Sequence, residues 1–346
     1  MKRLIKKLLI FCIPFVLALA FFFAFEVYDY WNLKGDCAYQ ARAVHALREI
    51  KYTKPEKIIL GDSRMANFNT GYIKDISGED WCMMAYGGAT LNESIDQFWY
   101  ATEHTELKEV VFGVNFYTMN DNHLAADRFP DAVHTAENPL FYITNFRFWM
   151  DAVYRVKNNI SNAIFDATGW KYFYVFVDNP SSLLQDVRPP EELDADGYRV
   201  DLANYSSLIY HQCLDYGGSV EYLFRLQEIV DYCDANGIEI TFVIPAANRT
   251  LWDKVVYPLG LDFYIDIYKD HLKSMSTVYD MEFYNEYAKN DDNFLDGFHF
   301  VLEEKLHLAR IVFANEQSEY CMKTTKEEYA QRKEKGEIFT VKLQTE

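Results

Sequence analysis

The chain has 346 residues, half of them hydrophobic, with 26 Tyr, 26 Phe and a formal net charge of −18. That length suits one large domain or two small ones, with apolar content enough for a sizeable core. So acidic a balance repels phosphate backbones and weighs against nucleic acid as a partner.

The charge is unevenly placed. Lys2, Arg3, Lys6 and Lys7 lie in a basic segment, residues 1–7, ahead of an uncharged apolar run from Leu8 to Phe25. A helix over that run rises about 27 Å, close to the thickness of a bilayer's hydrocarbon core. Basic residues stay cytoplasmic, so the expected arrangement is a single-pass anchor in the cell membrane with the body outside the cytoplasm. The rival is a cleaved signal peptide, with Ala18-Leu19-Ala20 as a cleavage site. The run continues through Phe21–Phe25, longer than the usual signal core, which favours the anchor.

Cys12 lies in that run, and Cys37, Cys82, Cys213, Cys233 and Cys321 are scattered without C-x-x-C spacing. Neither zinc nor a redox motif is indicated, and buried inert thiols are the default reading. His123 and His134 lie near Asp121, Asp127 and Asp131, but their spacing is irregular and fits solvated loop residues better than a metal site. No metal or cofactor is expected.

After the anchor, Ala41–Lys51 reads as a short amphipathic helix. Ile58–Leu60 is a buried strand that stops at Gly61 and leads to Ser63. Trp81–Tyr86 is a second strand, ending at Gly87-Gly88, followed by a helix from Leu91 to Leu107. Val110–Val114 is a third strand, ending at Asn115. Strand and helix alternate, which predicts βαβ units and a parallel sheet. The rhythm then breaks over residues 116–236, with a helix expected at Phe141–Asn159 and a loop at Val177–Leu202. So long an excursion between core strands is expected to be an inserted cap or acceptor-binding subdomain.

Alternation resumes with the helix Val220–Ala235 and its Gly237 C-cap, the strand Ile238–Pro245, the helix Leu261–Ser274 and the strand Thr277–Phe283. Asp296 and His299 follow in a turn-prone segment, before a helix from Leu302 to Asn315. The core is thus residues 37–115 and 237–316, and 317–346 is a charged, peripheral tail.

A serine hydroxyl needs a base to take its proton, and the base needs an acid to hold its tautomer. Ser63 ends the first strand, and the D-x-x-H spacing of Asp296 and His299 lets one turn present both side chains. Oxyanion donors are available at three strand ends: the Ser63 N–H, the Gly88 N–H and the Asn115 side-chain amide. Arg64, beside the serine, either meets an anionic substrate group or pairs with a nearby carboxylate. No G-x-S-x-G elbow, phosphate-binding loop, dinucleotide fingerprint or H-E-x-x-H occurs.

Gly61-Asp62-Ser63, Gly88, Asn115 and Asp296-x-x-His299, in that order, resemble the SGNH/GDSL hydrolases. The third block here reads Gly113-Val114-Asn115-Phe116 where the family usually has Asp after Asn, and Met83 and Met84 precede the glycines of the second block. The resemblance is nearest to membrane-anchored members of alginate O-acetylation and teichoic-acid D-alanylation systems. It implies a flavodoxin-like three-layer α/β/α fold with a central parallel sheet and a large insertion after the third strand. It also implies a serine esterase or O-acyltransferase acting on an acylated cell-envelope polysaccharide or teichoic-acid-like polymer. A multi-span membrane O-acyltransferase is the implied partner. The alternative is an inactive accessory protein of the same fold that binds the polymer or docks that acyltransferase.

Overall fold

β-Branched, aliphatic and aromatic residues dominate four short runs, and these, with the two-residue Cys82–Met83, form the parallel part of the sheet. The computed structural model describes residues 2–34, 43–123, 127–168 and 192–338. Strands β1 (Lys57–Leu60), β2 (Cys82–Met83), β3 (Glu109–Gly113), β4 (Glu239–Ile244), β5 (Thr277–Asp280) and β6 (Met322–Thr324) make one sheet in the order β2-β1-β3-β4-β5-β6. Every pairing is parallel except β5 with β6.

Near-continuous apolar strands predict burial on both faces, and that is how they pack. Ile58, Leu60, Val110, Phe112, Ile240, Phe242 and Val278 point to one core. There they meet Leu47, Phe98, Leu226 and Leu272 from the helices Ala43–Thr53, Leu91–His104, Val220–Asn236 and Asp262–Met275. Ile59, Val111, Val243 and Tyr279 alternate onto the other face. Met65, Ile73 and Leu308 cover them from the helices Ser63–Ala66, Thr70–Ser77 and Leu302–Phe313. Thr90 and Glu93 form a capping box at the start of Leu91–His104, and Gly237 closes Val220–Asn236 in the left-handed region.

The chain visits β2 on one side of β1 and returns to lay β3 on the other. Their carboxyl ends therefore diverge at β1, the switch point where open α/β sheets place ligands.

Some expected boundaries moved. The second strand shrinks to Cys82–Met83 at the sheet edge, and the last parallel strand stops at Asp280. The single helix expected over Phe141–Asn159 is two, Pro139–Thr144 and Phe146–Thr168. Asn145 divides them, extended at φ −80°, ψ 118°, with its side chain accepting from the Arg147 N–H. That local bond competes with helix continuation. The insertion is largely helical where described, with Phe129–Glu137 and Val200–Gln212 also present; Val220–Asn236, its last helix, is the crossover into β4. The expected loop Val177–Leu202 lies mostly outside the described residues, and Cys37 wholly so. The tail adds an antiparallel edge strand and a helix, Lys326–Glu334, capped by Thr325 and Glu328. Three strand residues are too few to reveal a period.

Among the described residues one helix, Lys2–Phe25, is long and apolar enough to cross a membrane; its Lys6–Phe25 stretch has a mean hydropathy of 2.9 and is almost wholly exposed.

Candidate active site

Gly61 ends β1 at φ +133°, a conformation open to glycine alone, and turns the chain into the short helix that begins at Ser63. Asp62 caps that helix, accepting from the Arg64 N–H at 3.0 Å. One turn on, Met65 lies over Gly113 of β3, where a Cβ would come within 2.1 Å of its Cγ. Two glycines thus allow the serine helix to sit directly on the sheet edge.

His299 arrives from the far side of the sheet. Leu295 N–H donates to the His299 carbonyl at 2.7 Å, and Phe294 bridges Phe300, so Asp296–Phe298 form the tip of a tight hairpin. The Asp296 carboxylate accepts the Phe298 and His299 backbone N–H groups at 2.8 and 2.9 Å. Its second oxygen lies 2.7 Å from His299 Nδ1. His299 Nε2 lies 2.7 Å from Ser63 Oγ. Burial alone would raise the Asp296 carboxyl, but His299 and the two amides outweigh it and hold it below the usual range. The hairpin is pinned from outside. Asn248 N–H donates to Gly297 O at 2.9 Å. Arg199, itself paired with Asp201, donates to the Phe294 and Leu295 carbonyls.

Arg64 pairs with a nearby carboxylate, Asp62, and also lines the serine cavity. It is 1% exposed, and its Nε and Nη2 donate to Asp62 Oδ2 at 3.2 and 2.9 Å. Its guanidinium lies over the Phe298 ring at 4.3 Å. Asn115 Nδ2 donates to the same Asp62 oxygen at 3.0 Å. Burial would raise the Asp62 carboxyl, yet the Arg64 charge and these donors hold it low. Asn115 does not line the serine cavity, although Asp62 does. The Asn115 amide supports Asp62 and its Oδ1 accepts from Thr118 N–H at 2.9 Å, so one of the two hydrogens of the expected third oxyanion donor is taken by Asp62.

Two amides remain for that task. Neither Ser63 N–H nor Gly88 N–H donates to another group among the described residues. Gly88 stands at φ +67°, and its turn is held by Arg128. Arg128 Nη2 donates to Gly88 O at 2.6 Å, and Nη1 and Nη2 each lie 3.3 Å from Gly87 O. The Gly87 carbonyl and the Gly88 N–H share one planar trans peptide and point opposite ways. Holding the carbonyl on Arg128 therefore turns the N–H away from it. Behind the turn, the fully buried Glu93 accepts the Arg128 and Thr90 backbone N–H groups at 2.6 and 2.9 Å and pairs with the Arg128 guanidinium.

Ser63, His299, Gly88 and Arg128 line one cavity of about 550 Å³. Tyr117 and Tyr205, from the insertion, and Phe298 supply aromatic walls, and His123 and Gln212 supply polar ones. Tyr117 OH donates to Gln212 Oε1 at 2.6 Å. Burial pushes the Tyr117 hydroxyl up to about 12 and pulls the His123 ring down. Among the described residues no group of three His, Cys, Asp or Glu side chains is arranged to hold a metal; Cys82, Cys213 and Cys233 are buried free thiols.

Sequence reasoning missed Arg128, Arg199, Tyr205 and Gln212. They come from the irregular insertion, and only the Thr90–Glu93 capping box hinted that a carboxylate lay behind the glycine turn. No protein-family model matches the chain, and no curated protein matches it either.

Proposed function

We propose that this chain is a membrane-anchored serine esterase or O-acyltransferase of the SGNH type. One observation carries the reading: Ser63 Oγ, His299 and Asp296 form a continuous chain of 2.7 Å contacts at the carboxyl edge of the sheet. In this reading Ser63 Oγ attacks an acyl carbonyl as His299 Nε2 takes its proton, and Asp296 keeps the other ring nitrogen protonated and oriented. The Ser63 and Gly88 N–H groups stabilise the developing oxyanion. His299 then returns the proton to the departing alcohol. The acyl group passes from Ser63 to water or to a sugar hydroxyl.

A cell-envelope glycopolymer is the proposed substrate. The cavity's aromatic walls suit the face of a sugar ring, and its amide and imidazole suit hydroxyl groups. A catalytic body outside the cytoplasm follows from the basic residues ahead of the span. A multi-span membrane acyltransferase is the proposed source of the acyl group if the reaction is transfer.

The test is labelling of the full chain with a serine-reactive fluorophosphonate, beside Ser63→Ala and His299→Ala. Labelling lost in both variants is the expected result. Equal labelling of Ser63→Ala removes Ser63 from the chemistry.

A further inference from the structure

The apolar helix does not leave the domain by a loose tether. Glu26, one residue past its end, is 2% exposed. Its carboxylate accepts from Tyr142 OH at 2.8 Å, Lys34 Nζ at 2.9 Å and Tyr28 N–H at 3.0 Å. Its carbonyl accepts from Lys34 Nζ at 2.7 Å and Arg155 Nη1 at 2.9 Å, two cations at the negative end of a helix. One turn earlier, Phe22 is fully buried, with its ring 4.7 Å from Trp149 and 5.4 Å from Tyr142.

These contacts set a direction. Trp149 is level with Phe22 and Arg155 reaches Glu26, so the helix Phe146–Thr168 starts beside the apolar span and runs the same way out of it. Phe146, three residues before Trp149, lies about 4.5 Å further back along that direction. That places it alongside the Lys6–Phe25 stretch rather than beyond it. Apart from the exposed Thr144 and Arg147, the large side chains the domain shows there are apolar: Leu140 is 77% exposed, Phe146 74% and Phe141 38%. Arg147 is exposed beside them, and Trp31 packs on the exposed Phe23 of the span at 4.5 Å. Apolar side chains with a neighbouring arginine and tryptophan are the composition of a lipid–water interface.

We propose that the tip Pro139–Arg147 inserts into the phospholipid interface beside the span, giving the domain a second membrane contact and a fixed orientation. The proposal rests on reading Leu8–Phe25 as a membrane anchor and is independent of the catalytic assignment. Continuity with the span is what selects lipid as the occupant over a second copy or another protein.

The test uses the full chain in vesicles of phosphatidylcholine with a minority of phosphatidylglycerol. The photo-crosslinker p-benzoylphenylalanine replaces, one at a time, Leu140, Phe146, Phe15 in the span, and Phe263, which is 58% exposed on the body. Each position is already exposed, so folding is little disturbed. The expected result is a phospholipid adduct at Phe15, Leu140 and Phe146, an order of magnitude above that at Phe263. Adducts at Phe15 alone, adducts of equal yield at Phe263, or a cross-linked dimer at Leu140 and Phe146 in place of lipid each overturn the proposal. Absence of lipid at Phe15 overturns the anchor reading, and the proposal with it.

Discussion

Arg128→Ala tests whether the insertion prepares the proposed oxyanion site. The substitution removes the donors to Gly87 O and Gly88 O and leaves Glu93 with its two backbone amides. Outright loss of one oxyanion donor typically costs about 10²–10³-fold in kcat. Here the Gly88 N–H survives and only its orientation is released, so the expected fall is about 10- to 100-fold, or roughly 1.4–2.7 kcal/mol in the barrier. The ion pair with Glu93 is partly solvent-screened, because the Arg128 side chain is 44% exposed. Its loss costs about 1 kcal/mol of stability. The assay is hydrolysis of p-nitrophenyl acetate by detergent-solubilised full chain, with kcat and KM resolved and a melting curve beside them. KM should hardly move, since the effect is confined to the transition state. Arg128→Lys should recover only part of the rate, because one ammonium cannot span two carbonyls and a carboxylate as a guanidinium does. A folded Arg128→Ala protein with unchanged kcat would refute the reasoning. So would a rise in KM alone, which would make Arg128 an ordinary substrate contact.

The buried Glu282 gives a pH signature. Its carboxylate takes the Tyr268 hydroxyl and lies 3.4 Å from Phe116 N–H, and burial pushes its pKa from 4.5 up to about 7. The folded state then binds more protons than the unfolded one between those values, so stability falls as pH rises from about 4.5 to about 7. The shift corresponds to about 3 kcal/mol. Glu282→Gln should flatten that slope in denaturant titrations run across the window; an unaltered slope sinks the assignment. Gly113→Ala forces Met65 off the sheet edge and should cost about 1–3 kcal/mol. Because Met65 shares a helix with Ser63, fluorophosphonate labelling should slow as well, and a variant of parental stability and labelling rate would contradict the close approach.

Local pattern carried a large part of this fold. The strands expected at Ile58–Leu60, Val110–Val114 and Ile238–Pro245 are found, within a residue at each end, as Lys57–Leu60, Glu109–Gly113 and Glu239–Ile244, because residues buried on both sheet faces form mostly apolar runs that need no partner to be recognised. Gly61 and Ser63 were legible from the abrupt end of an apolar strand, whereas the cap that Asp62 gives the helix starting at Ser63 appeared only in the structure. Asp296 and His299 were legible as a pair because three residues span one turn. What no local pattern contains is the 236-residue leap that brings His299 within 2.7 Å of Ser63. Nor does it show which neighbour a buried polar group chooses. Asn115 stands at the expected strand end, yet Asp62 claims its amide, because a buried carboxylate beside Arg64 needs more donors than one guanidinium supplies. Arg128 and Arg199 sit in an insertion without periodicity, and only packing against Gly87-Gly88 and the Asp296 hairpin gives them a role. The serine, the histidine and the sheet follow from short-range rules of burial and turn geometry. The supports around them are long-range hydrogen bonds, and those exist only once the chain has folded.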